Sequence, residues 1–242
     1  MKLAQLRDFT PARVSLGRAG NGLPTGELLQ LQLAHARARD AVSSKLDAPA
    51  LALELQHIVG NCLLARSAAP DRETYLRQPD LGRRLSDDSR QHLARRRGHF
   101  DAGFIVADGL SAVAIERHAG PMLESILSLI GSCCGWVLAP VVIVEQGRVA
   151  IGDDVAECLG LGMSVVLIGE RPGLSSPDSL GIYLTWNPRP GLTNADRNCI
   201  SNIRAEGLSY AAAARLLLFL MNASREKKLS GIGLKEDAML LH

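Results

Sequence analysis

In the second half of the chain, short apolar runs alternate with longer segments whose apolar residues recur at helical spacing. The apolar runs predict strands at residues 104–109, 141–144, 164–168 and 182–185. Helical periodicity predicts helices at residues 111–119, 121–130, 153–159 and 210–228, the first two divided by Gly120-Pro121. Strands that alternate with helices of this length indicate βαβ units and a mostly parallel sheet.

The first hundred residues have a different pattern. Residues 24–46 predict an amphipathic helix with Thr25 as N-cap and an apolar surface formed by leucines, namely Leu28, Leu29, Leu31 and Leu33. A second helical section is expected over residues 48–66, and a Pro-Asp-Leu-Gly turn precedes a polar helix from Ser86 onward. The fold class is therefore predicted as α/β. A mainly helical region at 1–100 is expected to make subunit contacts, and a Rossmann-like domain follows at 101–242.

Composition narrows the function classes. Hydrophobic residues make up 47% and charged residues 21%, which is usual for a folded protein, while aromatic residues at 4% disfavour a base-stacking surface. The net charge of +2 hides basic blocks at Arg83-Arg84 and Arg95 to Arg97. Such blocks are more typical of solvated helix faces or subunit contacts than of nucleic-acid binding. No nucleic-acid partner is expected.

Cysteines and histidines give no metal-site spacing. The five cysteines form no CxxC pair and the six histidines no HxH or HExxH arrangement, so no metal site is predicted. The first residues lack the apolar core of a signal peptide, and an odd cysteine count without secretion favours reduced thiols in a cytosol. The apolar stretches are too short or too interrupted to cross a membrane.

Candidate chemistry concentrates between residues 164 and 202. The apolar run SVVLIG ends in Glu170-Arg171, and a Pro-Gly turn follows directly. In open α/β sheets, the polar residues that follow the carboxyl ends of buried strands are the groups that contact a ligand. The turn after the first strand, from Asp108 to Ser111, is a second candidate, although Asp108 as an N-cap explains it equally well. Arg171 and Arg197 are candidates for a phosphate, a partner chain or solvated ion pairs.

The amino-acid sequences of several segments resemble those of one protein family. The segments are VSLGRAG from Val14, PDLGRRL, FIVADGLSAVAI, GERPGL at 169–174 and DRNCISNI at 196–203. On these motifs the chain resembles the small (light) subunit of ethanolamine ammonia-lyase. The resemblance implies an adenosylcobalamin-dependent ammonia-lyase that converts ethanolamine to acetaldehyde and ammonia. It also implies a TIM-barrel large subunit that binds most of the substrate, with cobalamin between the two chains.

The resemblance further implies that three residues contact cobalamin: Val149, Glu170 and Cys199. No catalytic residue is assigned to this chain, which is expected to be inactive alone. Each residue has a simpler interpretation. Glu170 would serve an ion pair or a helix cap, Val149 would be a core residue, and Cys199 would be a small buried hydrophobe.

Two absences complete the expectations. The cobalamin-binding DxHxxG motif is missing, and the nearest similar segment, at residues 88–92, has the wrong spacing. This agrees with base-on cobalamin, in which dimethylbenzimidazole stays on cobalt. Only a few residues precede the first matched motif, so a packaging extension is not expected; a cytoplasmic location inside or outside a bacterial microcompartment stays open. The alternative from another class is a free-standing nucleotide-binding or regulatory module, although GxGxxG and a P-loop lysine are missing.

Overall fold

The computed structural model describes residues 12–131 and 135–234, so Cys133 and Cys134 lie outside the described residues. The helices of this part, α1 to α7, are Thr25–Ser43, Ala48–Val59, Arg72–Arg77, Asp87–Ala94, Ala112–Gly131, Ile151–Leu159 and Tyr210–Lys227. The strands, β1 to β6, are Leu63–Arg66, Gly103–Ala107, Val142–Glu145, Met163–Gly169, Leu180–Trp186 and Arg197–Ile203. Cys62, Cys158 and Cys199 form no disulfide within the described residues.

All six strands form one sheet in the order β1-β3-β2-β4-β5-β6. The first four strands of this order are parallel, whereas β5 runs antiparallel to β4 and β6 antiparallel to β5. The mostly parallel α/β fold with helices in its N-terminal part is thus confirmed. A strand from the first hundred residues, β1, belongs to the same sheet as those after residue 100. The division at residue 100 stays a prediction.

Helices cover both faces of the sheet, which gives the fold two cores. On one face α2, α5 and α7 pack over strand residues that include Phe104, Ile143, Val165 and Ile182. On the other face α4 and α6 pack over Ile105, Val144 and Val166. Because successive side chains in a strand point to opposite faces, each of the central strands contributes side chains to both cores, as buried parallel strands do.

The structure corrects three local predictions and adds a strand. The first helix begins at Thr25 itself, after Pro24, and no side chain caps it. The helical section predicted to reach residue 66 ends at Val59, and β1 follows. The two segments divided by Pro121 form the single helix α5, because its apolar face packs on the sheet on both sides of the proline. The strand β6 was not predicted.

The amphipathic interpretation of α1 holds only in part. Ala34 and Ala41 are buried, but Leu28, Leu29 and Leu33 are 41%, 59% and 51% exposed. Most of the predicted apolar surface therefore faces outward. Among the described residues, none of the helices combines the length and the apolar character that crossing a bilayer requires.

Candidate functional site

Glu170 lies where β4 ends at the carboxyl edge of the sheet. Its backbone N–H donates to the Ser179 carbonyl at 3.0 Å, and its Oε2 accepts from the backbone N–H of Asn202 at 3.2 Å. A Cβ on Gly181 would lie 2.9 Å from Glu170 Oε1, so this glycine makes room for the carboxylate beside β5. No ion pair of Glu170 occurs in the described part of the chain. The carboxylate keeps acceptor capacity for another donor.

Cys199 lies opposite Tyr183 in the antiparallel pair β5–β6. The Tyr183 hydroxyl interacts with the Cys199 thiol. Burial raises the pKa of Tyr183 most, and Cys199 and Glu170 raise it further. Cys199 and Ser201 are exposed, and Tyr183 is half-buried. The interpretation of Cys199 as a buried hydrophobe is therefore wrong. This face of β5 and β6 is open, while the opposite face packs against the core that contains α5 and α7.

Val149 lies in the loop between β3 and α6, half-buried against the core beneath α6. It lines a cavity of about 940 Å³. The cavity walls also contain five arginines: Arg83, Arg84, Arg90, Arg148 and Arg197. The sequence alone leaves open whether the basic block Arg83-Arg84 is a solvated helix face or a contact surface. In the structure both arginines line the same cavity as Val149.

The cavity arginines differ in their partners. Arg197 is buried and forms a two-pronged ion pair with Asp153, at 2.8 and 2.6 Å, and its Nη1 donates to Thr185 Oγ1 at 2.9 Å. Burial raises the pKa of Asp153, and Arg197 opposes that shift. Arg90 pairs with Asp154 at 2.6 Å. Arg197 is therefore a structural link between β6 and α6 rather than a free phosphate ligand.

Arg148 differs in having a buried nitrogen without a partner in the described part of the chain. Its Nε is buried and has no hydrogen-bond partner among the described residues. A buried N–H without an acceptor is uncommon and needs an explanation, such as a ligand or an ordered water. Because Arg148 adjoins Val149 in the cavity wall, this donor is a candidate contact for a bound molecule.

The three predicted contact residues belong to one side of the sheet. Side chains of β6 alternate, so Cys199 shares the face of Arg197, which lines the cavity of Val149. Tyr183, opposite Cys199, packs against the same core as Val149, and Glu170 acts on the pKa of Tyr183. Cavity and open face thus lie on the same side of the sheet, the side that carries α6.

Two of the weaker candidates, Asp108 and Ser111, have structural roles. Asp108 is not an N-cap: its carboxylate accepts from Arg72 Nη1 at 2.9 Å and from the Gly147 N–H at 3.0 Å. Burial raises the pKa of Asp108 to about 7, against the opposing effect of Arg72. Ser111 caps α5 instead, because its Oγ accepts from the Ala114 N–H at 3.2 Å.

Sequence reasoning missed Tyr183, Arg148 and Asp153. Tyr183 lies in a predicted strand, GIYLTW. Because side chains alternate along a strand, Tyr183 is expected on the opposite face of the sheet from its apolar neighbours Ile182 and Leu184. That signal was available. No comparable signal identifies Arg148 or Asp153, since their partners are distant in sequence.

Comparison with known proteins decides the family. The family described as ethanolamine ammonia-lyase light chain (EutC) matches residues 1–235. The chain belongs to this family. It is therefore the small subunit of an ammonia-lyase, as its motifs predicted.

Relatives of high similarity cover nearly the whole chain. The ethanolamine ammonia-lyase small subunit of Pseudomonas putida (strain GB-1) is 54% identical over 237 residues, which cover 96% of this chain and 87% of that protein. That of Azotobacter vinelandii is 55% identical over 238 residues, covering 97% and 88%. That of Pseudomonas aeruginosa (strain LESB58) is 54% identical over 237 residues, covering 96% and 86%.

Proposed function

We propose that this light chain forms one wall of an adenosylcobalamin site whose other wall is the TIM-barrel large subunit. The complex would convert ethanolamine to acetaldehyde and ammonia, with the substrate held mainly by the large subunit. The observation that carries the proposal is that the Val149 cavity and the open face of β5–β6 lie on the same side of the sheet. Of the implied contact residues, Val149 lines the cavity, Cys199 belongs to the open face, and Glu170 lies beside β5 at the end of β4.

The chemistry of the surface fits the cofactor. A corrin is a broad, largely apolar macrocycle that carries amide side chains and a phosphodiester-linked nucleotide. Val149 and Tyr183 offer apolar contact, and Glu170 offers an acceptor for amide N–H groups. Arg148 Nε offers a buried donor for an amide or phosphate oxygen. The partly exposed character of these side chains suits a site that a second chain closes.

When bound, adenosylcobalamin supplies the radical chemistry, and the protein supplies binding, orientation and exclusion of water. Glu170 and Arg148 would fix the orientation of the ring and its tail, and Val149 would pack against the rim. The base-on mode is proposed because the DxHxxG motif is missing from the sequence.

The large subunit would dock on the surfaces that this chain leaves uncovered. The exposed leucines of α1, Leu28, Leu29 and Leu33, form an apolar patch, and Arg83-Arg84 and Arg95 to Arg97 add positive charge. We expect a hetero-oligomer of several pairs of large and small subunits. Charges at an interface rim affect the association rate and its salt dependence more than affinity.

The alternative, a nucleotide-binding module, has less support. In open α/β sheets nucleotides bind in the crevice where neighbouring connections run to opposite faces. Here that crevice, between the carboxyl ends of β2 and β3, is occupied by the fully buried side chain of Tyr75. A nucleotide would have to displace this side chain.

Glu170→Gln is expected to weaken cobalamin binding. The amide can still accept from the Asn202 N–H, but one acceptor oxygen becomes a donor and faces the donor groups of the corrin. A charge-assisted bond in a partly desolvated site contributes about 1.5–3 kcal/mol, so Kd should rise about ten- to a hundredfold. Titration of the mutant complex, followed by the cobalamin absorption spectrum, measures the change.

A matched control separates binding from folding. Glu226→Gln makes the same exchange at an exposed position of α7, and should leave both cobalamin affinity and melting temperature unchanged. If Glu170 is only a structural partner of Asn202, its exchange lowers the melting temperature and leaves Kd at the wild-type value. That result would remove Glu170 from the site.

Activity should require both subunits. The purified chain with adenosylcobalamin and ethanolamine is expected to release no acetaldehyde, and addition of the large subunit should start turnover. A coupled aldehyde assay on the three combinations measures this. Full turnover by the isolated chain would falsify the division of labour.

A further inference from the structure

Tyr75 joins the two turns at the centre of the carboxyl edge. Its side chain is fully buried, and its hydroxyl lies 2.8 Å from the Gly109 carbonyl and 3.1 Å from the Gly147 carbonyl. These carbonyls belong to the turns that follow β2 and β3. A hydroxyl has one proton, so it donates to one of the two carbonyls at a time.

The ring of Tyr75 lies between two arginines. The guanidinium carbon of Arg148 is 4.5 Å from the ring centroid, and that of Arg72 is 4.9 Å from it. Both distances are within the range of cation–π attraction, which is stronger in buried places. The contacts hold Arg148 against α3 through its guanidinium group.

The backbone of Arg148 is hydrogen-bonded to the residues that follow α3, and that of Gly147 to a carboxylate just after β2. The Arg148 N–H donates to the Gly82 carbonyl at 2.7 Å, and the Gly147 N–H donates to Asp108 at 3.0 Å. A Cβ on Gly82 would lie 2.6 Å from the Tyr75 ring and 2.9 Å from Arg148 Cγ. Such close approach admits only glycine. The chain from α3 to Gly82 therefore wraps the loop that continues into Val149.

We infer that Tyr75 is a positioning residue of the cofactor site, which acts through Arg148 and Val149. It contacts the loop at residues 147 and 148 and packs against the guanidinium group of Arg148, a residue that lines the cavity and whose Nε has no hydrogen-bond partner among the described residues. The inference rests on the proposed function and adds to it the element that fixes the loop. Tyr75 does not line the cavity, so it would not touch the cofactor itself.

Tyr75→Phe and Tyr75→Leu test the role at two levels. Phe keeps the stacked ring and loses the hydroxyl, whereas Leu loses both. In the complex without cofactor, amide hydrogen exchange at Gly147 and Arg148 should be faster in both variants. Cobalamin Kd should rise roughly three- to tenfold for Phe and at least about tenfold for Leu.

Phe104→Leu is the matched control, because Phe104 is an equally buried aromatic residue in the core on the opposite face. It should lower the melting temperature without changing the exchange of Gly147 or the cobalamin Kd. Wild-type affinity in Tyr75→Phe, or equal weakening by Phe104→Leu, overturns the positioning role alone. A wild-type complex that does not bind cobalamin overturns the proposed function and the positioning role with it.

Discussion

Arg197→Met is expected to lower the free energy of unfolding by about 3–5 kcal/mol, because it leaves a buried carboxylate without its partner. The side chains of Arg197 and Asp153 are only 2% and 3% exposed, and two hydrogen bonds of 2.8 and 2.6 Å join them. For a chain of this size the melting temperature should fall by about 6–20 °C. Thermal unfolding of the purified chain measures the change.

The loss should depend on pH. Without Arg197, burial acts unopposed and the folded-state pKa of Asp153 rises further above its unfolded value. A raised pKa in the folded state costs most stability above that pKa, and the cost disappears as the pH falls towards the unfolded value of about 4. The difference between mutant and wild type should therefore shrink on acidification. A difference that grows towards low pH would contradict this explanation.

Two further variants check the cause. Arg77→Met removes one partner of an exposed pair, Arg77 and Glu73, and should shift the melting temperature by less than about 2 °C. Asp153→Leu combined with Arg197→Met removes both buried charges and should recover much of the lost stability. A double variant as unstable as the single one would show that packing, not the unpaired charge, causes the loss.

Gly109→Ala is expected to be similarly severe. Gly109 has a φ of +55°, and a Cβ there would lie 2.3 Å from the Gly169 carbonyl oxygen and 2.5 Å from Ile168 Cγ1. The left-handed backbone costs about 1–2 kcal/mol for alanine, and overpacking adds about 1–3 kcal/mol. Since the Leu110 N–H donates to the Gly169 carbonyl at 3.0 Å, the clash would also separate β2 from β4. We expect a melting temperature lower by roughly 5–20 °C.

Gly26→Ala is the control with the opposite sign. Gly26 lies in the first turn of α1, and no atom lies within 4 Å of a Cβ placed there. Alanine should stabilise this helix by about 0.5–1 kcal/mol. If Gly109→Ala unfolds at the wild-type temperature, the close approach between the turn after β2 and the end of β4 is not what the structure indicates.

The parallel part of the sheet was predictable because its strands are apolar throughout. FIVA and SVVLI stand out between helical segments, and the structure places β2 and β4 there. The strand β6 escaped prediction because RNCISNI exposes one face and buries polar Arg197 and Asn198, so its pattern is not apolar. The strand β1 has only four residues and closely follows a helix. Short strands of this kind are fixed by tertiary pairing rather than by local pattern.

The residues of the candidate site also differ in how far the sequence predicts them. The resemblance supplied Val149, Glu170 and Cys199. Of these, Glu170 directly follows a predicted strand, at the edge where open α/β sheets present groups to ligands, whereas Cys199 lies within the unpredicted strand β6. The Asp153–Arg197 pair and the contact of Tyr75 with Arg148 join residues that are far apart in the sequence, so no local spacing reveals them. They depend on how α3, α6 and β6 pack, which only the fold determines.

This chain is proposed to form one wall of the cobalamin site. Equilibrium titration of adenosylcobalamin into the large subunit alone, this chain alone and the assembled complex tests it most directly, with bound cofactor followed by absorption. We predict tight, saturable binding only by the complex, with a Kd at least about tenfold below that of either subunit, on the rule that about 1.4 kcal/mol is a factor of ten. Binding to the large subunit alone with the affinity of the complex would contradict the claim.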